Sequence, residues 1–309
     1  MRNIRVVFAV LSLSVVLVAG VADELQAQEK RQGWIKRLRY RRELRRELQG
    51  EIQLSGAFAL YPMAVKWAEE FRKIHPKVRI DISAGGAGKG ITDALAKVVD
   101  LGMVSRDIYP QELEKGAFPI AVVKDAVVPT INSNNPLIDQ ILATGLKQQV
   151  AQDLWIHTTA RTWGDVLGTG STIPVHVYTR SDACGAAETF AAWLGAKQED
   201  LEGTAVFGDP GVTSVVQRDK VGIGFNNIAY AYDINSKKPY RHIAVIPLDL
   251  NGNGKIDPEE DFYATSTELN AAIAEGKYPS PPARNLFLVS NASHAARFCF
   301  SVSESGVHN

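Results

Sequence analysis

From Glu51 onward, short apolar stretches alternate with amphipathic ones. "EIQLSGA" has strand character, and "LYPMAVKWAEEFRKIHP" gathers its apolar residues on one helical face. "KVRIDISAGG" reads as the next strand, "GKGITDALAKVV" as the next helix and "DLGMVS" as a third, short strand. This βαβαβ order predicts an α/β fold, a mostly parallel sheet flanked by helices. Further on, "FPIAVVKDAVVPTINSNNP" reads as a strand ended by turn residues, and "LIDQILATGLKQQVAQDL" as helical. "TTARTWGDVLG" suggests a short helix with turns, "TIPVHVYTR" a strand and "AAETFAAWLG" a helix. "VGIGFNNIAYAYD" reads as a glycine-containing strand or turn, and "YRHIAVIPLDL" as a strand. No internal repeat is found. Polar punctuation near Asn132–Pro136 and Asn226–Asp233 offers two crossings between lobes. The expected layout is an outer lobe of residues 50–131 plus 227–309, with residues 132–226 inserted as an inner lobe.

The chain start changes this picture. Arg2 and Arg5 precede the apolar run "VVFAVLSLSVVLVAGVA", which reads as a secretory signal over residues 1–27, cut near Ala22 or Ala27. A retained membrane anchor is the alternative, though the run is short for one. No cysteine near the junction suggests a lipid anchor. Residues 28–49 form a basic leader, with nine Lys/Arg against three acids between Glu29 and Glu47. It reads as a solvated, partly helical segment or as an arm for an anionic surface. Without signal and leader the chain holds 23 basic and 29 acidic residues, so no bulk positive field draws anions to the body. No nucleic-acid partner is expected. Cys184 and Cys299 are the only cysteines; their number alone does not decide whether they pair.

Three strand-to-helix junctions share one chemistry. "SGAFALYP", "SAGGAGKG" and "SDACGAAE" each combine small residues with a helix start. Small residues let a ligand approach the backbone, and the first helical N–H groups lack intrahelical acceptors. Three such ends aimed at one point would hold a tetrahedral oxyanion. Taken singly, each also serves as a tight βα turn. Arg180 is the candidate for direct charge pairing, with Asp182 two residues on to orient it; a surface Arg–Asp pair is the plain alternative. Arg106, after Ser105, is a second cation at a strand end, or a solvated loop arginine.

In this order, "SGAFALYPMAVKWAEEF", "ISAGGAGKGI", "DLGMVSRD", "TWGDVLG", "YTRSDACGAAETF" and "VGIGFNN" resemble the phosphate-binding proteins that serve ABC importers, over roughly Glu51–Asn291. The resemblance implies a two-lobed type II periplasmic-binding fold with its ligand cleft at the hinge. It also implies a non-enzymatic, monomeric, periplasmic or extracellular receptor that delivers phosphate or a similar oxyanion to a membrane permease. The implied ligand positions are Leu60, Tyr61, Gly86, Ala87, Gly88, Ser105, Arg106, Arg180, Asp182, Cys184, Gly185 and Ala186. Family members usually carry hydroxyl side chains where this chain has Leu60, Ala87, Cys184 and Ala186, and many have aspartate in place of Arg106. The tail "NASHAARFCFSVSESGVHN" does not resemble the family's closing helix.

A separate motif, "DLNGNGKIDPEE", matches a twelve-residue calcium loop over residues 249–260. Asp249, Asn251, Asn253, the Lys255 carbonyl, Asp257 and Glu260 occupy the ligand positions, with Gly254 at the turn. A structural Ca2+ is expected; an acidic Asn/Gly hairpin is the alternative. A strand precedes the loop, and "DPEED" suggests a capped helix start after it. Two rival functions remain: a calcium-dependent surface or adhesion module with a vestigial cleft, and a secreted hydrolase using Cys184 or Ser105, although no motif places a histidine to activate either.

Overall fold

The computed structural model describes residues 48–291. The signal segment, the leader up to residue 47, the tail and Cys299 lie outside the described residues. The chain divides into a small unit, Met1–Gly50 with His75–Val78, and a large one, Glu51–Ile74 with Arg79–Asn309.

The strands of the described residues are β1 (Gln49–Gly56), β2 (Lys77–Ala84), β3 (Leu101–Val104), β4 (Ala117–Ile131), β5 (His176–Arg180), β6 (Thr204–Val206), β7 (Gly222–Asn227), β8 (Ala244–Val245) and β9 (Ala283–Asn291). The helices are α1 (Tyr61–Ile74), α2 (Ala87–Leu95), α3 (Pro110–Glu114), α4 (Ile138–Thr144), α5 (Gln148–Trp155), α6 (Trp163–Leu167), α7 (Gly185–Trp193), α8 (Gly208–Arg218), α9 (Ile228–Ala231) and α10 (Ser266–Ala274). The sheet runs β2-β1-β3-β9-β4-β7-β5-β6, with β8 also on β4.

The sheet is mixed rather than mostly parallel. The β1–β3, β5–β6 and β5–β7 pairs are parallel, as βα alternation requires. The centre is antiparallel, because the fifteen-residue β4 pairs with β9 along its first part and with β7 and β8 along its last. A register shift between Ala121 and Val123 interrupts the β4–β9 ladder. The core divides with it. One cluster packs Leu54, Leu60, Ile91, Met103 and Val289 around β1, β3 and β9. The other packs Val127, Ile131, Trp163, Phe190 and Phe225, and within it Phe190 stacks on Phe225 at 4.4 Å and meets Trp155 edge-on at 5.0 Å.

Local chemistry sets the helix ends. Thr162 and Thr265 accept the N3 amides of Asp165 and Glu268, whose carboxylates reach back, forming two capping boxes. Helix α1 has Pro62 in its first turn and Arg72 and Lys73 in its last, which suits both proline geometry and the helix dipole.

Three sequence expectations change. The helical stretch 137–154 is two helices, broken at Gly145, whose φ is 73°. Glycine takes this φ without a Cβ penalty and also leaves room for Ile256, whose Cδ1 would lie 2.3 Å from an added Cβ. "YRHIAVIPLDL" is strand only at Ala244–Val245. "DPEED" forms a turn, and the next helix starts at Ser266. Five elements were not brought out by the apolar pattern: α3, α10, β9 and, filling Thr204–Arg218, β6 and α8.

Candidate anion-binding site

Four strand-end loops meet through contacts that only small residues permit. Gly56 (φ 131°) packs against β3 and α2: a Cβ there would stand 2.2 Å from the Met103 carbonyl and 2.8 Å from Gly90 Cα. Gly86, the N-cap of α2, lies against the Ala183 carbonyl, and Gly185, the first residue of α7, against Ser105; added Cβ atoms would come within 2.7 and 2.1 Å of those backbone oxygens. The β1–α1, β2–α2, β3–α3 and β5–α7 junctions are thus joined in one place. A fifth joins them from β6–α8, since the Gly208 amide donates to Asp182 Oδ1 at 3.0 Å.

Arg180 stands at this junction with its side chain fully buried. Its Nε donates to Asp182 Oδ1 at 2.9 Å and its Nη2 to Asp182 Oδ2 at 2.7 Å, a two-pronged pair. Its Nη1 donates to Asp209 Oδ2 at 2.7 Å. Burial opposes the charge on Arg180, but Asp209 and Asp182 outweigh it and the guanidinium pKa is raised. The Phe58 ring lies 5.7 Å from Arg180 Cζ and meets Phe207 edge-on. The pair with Asp182 is therefore a buried device rather than a solvated surface pair. A guanidinium has five N–H donors, and the three used here leave two.

Asp209, missed in the sequence, is the second anchor. It is fully buried, and its Oδ1 accepts from the Asn227 amide (3.0 Å) and side chain (2.8 Å). The chain passes onward from Asn227 Oδ1, which accepts from Arg284, to Asp125, 3.3 Å from Arg284. The signal available was "FGDPGV", a glycine and aspartate just before a proline at a helix start.

The other predicted positions divide into two groups. Ala87, Gly88, Gly185 and Ala186 are first-turn residues of α2 and α7, where amides lack intrahelical acceptors. Leu60, Tyr61, Gly86 and Arg106 have partners already. Leu60 is buried in the core; its amide donates to the Ala57 carbonyl at 3.2 Å, that of Tyr61 to Phe58 at 3.1 Å and that of Gly86 to Gly56 at 3.1 Å. Arg106 is gripped by both oxygens of Glu112 (2.7 and 2.9 Å), lies 3.4 Å from Glu188 and covers the Tyr109 ring at 4.1 Å. It is buried, not a solvated loop arginine.

Comparison with known proteins places this architecture. Residues 43–294 match the PBP superfamily domain. The chain belongs to the PBP superfamily. It is 28% identical over 211 residues to protein SphX of Synechococcus elongatus, covering 66% of this chain and 60% of that protein. It is also 28% identical over 205 residues to the phosphate-binding protein PstS of Xylella fastidiosa strain Temecula1, covering 58% and 54%. The match spans about 60% or less of these relatives' length. A solved phosphate ABC-transporter substrate-binding protein from Clostridium perfringens, with bound phosphate, shares the fold at TM-score 0.63 and 22% identity, over 79% of this chain and 88% of that one. These likenesses confirm the expected α/β periplasmic-binding fold, of type II. They lend no support to an adhesion module.

Within this PBP-superfamily chain, Cys184 caps α7: its Sγ accepts from the Ala187 amide at 3.5 Å. Burial pushes its thiol pKa up to about 12, against the pull of Arg180, so the thiolate a hydrolase would need is disfavoured.

The 249–260 loop is organised from within. Asp249 accepts from the Gly252, Asn253 and Gly254 amides at 2.7, 3.2 and 2.8 Å. Glu260 accepts from the amides of Leu250, Asn251 and Asp257. Asn251 and Asn253 both donate from Nδ2 to Asp257 Oδ2. Gly252 and Gly254 take φ of 74° and 84°, as the turn demands. Among the described residues no group of three or more His, Cys, Asp or Glu side chains is placed to hold a metal, so Asp249, Asp257 and Glu260 are not gathered around one point here.

Proposed function

We propose that this chain captures phosphate or a related tetrahedral oxyanion in the Arg180 cradle and passes it, without chemical change, to the membrane permease of an ABC transporter. The observation that carries this reading is the buried Arg180, fixed by Asp182 and Asp209 where the α2 and α7 starts converge. Its two remaining donors and the first amides of those helices form a preorganised set of charge-assisted donors, each contributing about 1.5–3 kcal/mol to an anion. One cation between two carboxylates leaves the trio net negative, so hydrogen-bond geometry rather than net charge provides the attraction. The PstS relative, a phosphate-binding protein, favours the same ligand class.

Complete burial of Arg180 means that the loops part to admit the anion and close to shed water. The division into lobes at 50–131 plus 227–309 and at 132–226 fits a hinge along β4. Residues 1–27 direct export, and the mature protein acts as a monomer outside the cytoplasm. Replacing the usual aspartate by Arg106 removes an acceptor for the proton of a monohydrogen anion, so discrimination against sulfate is weak. Calorimetric titration with phosphate, arsenate, sulfate, molybdate and methylphosphonate tests the reading. Phosphate and arsenate bind tightest, with sulfate close behind; absence of binding by all five would overturn it.

The 249–260 loop supports a second reading, a structural calcium site. Asp249 and Glu260 are nearly buried, and each carboxylate accepts three N–H bonds, leaving about one lone-pair site for a cation. Its test is a calcium-dependent rise in melting temperature; no rise at millimolar calcium counts against it.

A further inference from the structure

Arg284, at the start of β9, is a buried cation with too few partners. It is cross-strand from Asp125 in the β4–β9 ladder, and its Nη2 reaches Asp125 and Asn227. Its Nε and Nη1 are buried and have no hydrogen-bond partner among the described residues. The side chain is 5% exposed. Leaving cationic donors buried without acceptors is costly, and native proteins rarely do so without a water or ion nearby. Arg284 feels the shortage: burial lowers its pKa despite Asp125.

The same residue forms part of the wall of a cavity of about 570 Å³, together with Arg106, Asp107, Lys124, Glu188 and Tyr278. Most charges in that wall are already committed. Arg106 is held by Glu112, and Glu188 accepts from Tyr109 at 2.5 Å and lies near Arg106. The Lys124 side chain is exposed and has no ion pair among the described residues, and Asp107 adds an exposed acid to the same wall. Ala192 and Ile273 give the wall an apolar part.

We propose that this cavity is a second anion site, separate from the Arg180 cradle, that takes a compact carboxylate or oxyanion; the Arg284 side chain turns toward the bound anion, whose oxygens supply the acceptors its buried Nε and Nη1 lack. Its volume falls within the range of about 300–1,000 Å³ usual for small-molecule pockets, so the anion can carry a small apolar group along Ala192 and Ile273. The site does not depend on the nature of the cargo at Arg180. The two arginines communicate, however, since Asp209 holds Arg180 with one oxygen and Asn227 with the other, and Asn227 holds Arg284.

The test is calorimetric titration of the full chain with inorganic phosphate, sulfate, acetate and methylphosphonate, each alone. At least one probe binds in Arg180→Met protein, and that event weakens tenfold or more in both Arg284→Met and Ala192→Phe backgrounds. Ala192 is exposed on α7, so Ala192→Phe narrows the cavity while leaving every hydrogen bond of Arg284 in place, and a near-native melting temperature confirms its fold. The proposal is overturned if no probe binds Arg180→Met protein, or if the surviving event ignores both added substitutions. Failure of the phosphate reading shows separately, as Arg180→Met protein that binds phosphate as tightly as the parent.

Discussion

The Arg180 cradle and the 249–260 loop both organise buried charge, but by opposite means. In the loop, Asp249 and Glu260 are satisfied by amides no more than ten residues away. In the cradle, Arg180 depends on Asp209, 29 residues on, and Asp209 on Asn227, a further 18. A local device finds the partners of its carboxylates almost wholly within its own twelve residues. A distributed one fails when any of several elements shifts, and it can therefore respond to movement between them.

Substitutions can break or sharpen this contrast. The largest effect on binding is expected from Arg180→Met, which removes the charged donor: phosphate affinity falls at least 100-fold, about 2.8 kcal/mol, by calorimetry. Asp209→Asn leaves the shape but strips one of the carboxylates on a buried guanidinium. Stability in urea falls by about 3 kcal/mol, and phosphate binding weakens although Asp209 need not touch the anion. Asp249→Ala leaves three backbone amides without their acceptor and costs about 2 kcal/mol even with a chelator present, whereas it leaves phosphate affinity unchanged if the two regions are independent.

The smallest effect concerns pH. Burial raises the Asp125 pKa to about 6, although Arg284 pulls it down. The folded state therefore holds this proton more tightly than the unfolded chain, and the associated stability is fully present below the ordinary carboxylate range and lost as pH rises through about 6. Denaturant melts of the parent and of Asp125→Asn between pH 4 and pH 7 isolate it: the difference between the two proteins changes across that window and is flat above it.

The same contrast explains what could be read from the residues. The tight turns of the 249–260 loop were legible because its Asn/Gly spacing specifies them. Arg180 with Asp182 was legible because two residues along an extended segment fix their relation, and the structure shows both prongs of the pair. Asp209 was not, because nothing in "FGDPGV" reveals that α8 begins beside a strand end 28 residues earlier. Yet Val212, Val215 and Val216 follow helical spacing there, and Pro210 in the first turn marks a helix start. Arg106 looked free because its partners Glu112 and Glu188 come from two other helices. The split of the 137–154 helical stretch falls at Gly145, a positive-φ C-cap, a local stop signal that the apolar pattern alone passes over. The long antiparallel β4–β9 ladder joins residues 150 or more positions apart, beyond the reach of any local pattern.

A crystal structure of the full chain grown with phosphate tests the central claim most directly. It should place phosphate oxygens about 3 Å from the two remaining Arg180 donors and from first-turn amides of α2 and α7, with Asp182 and Asp209 still on the guanidinium. Phosphate found elsewhere, with the Arg180 cradle closed and anion-free, would contradict it.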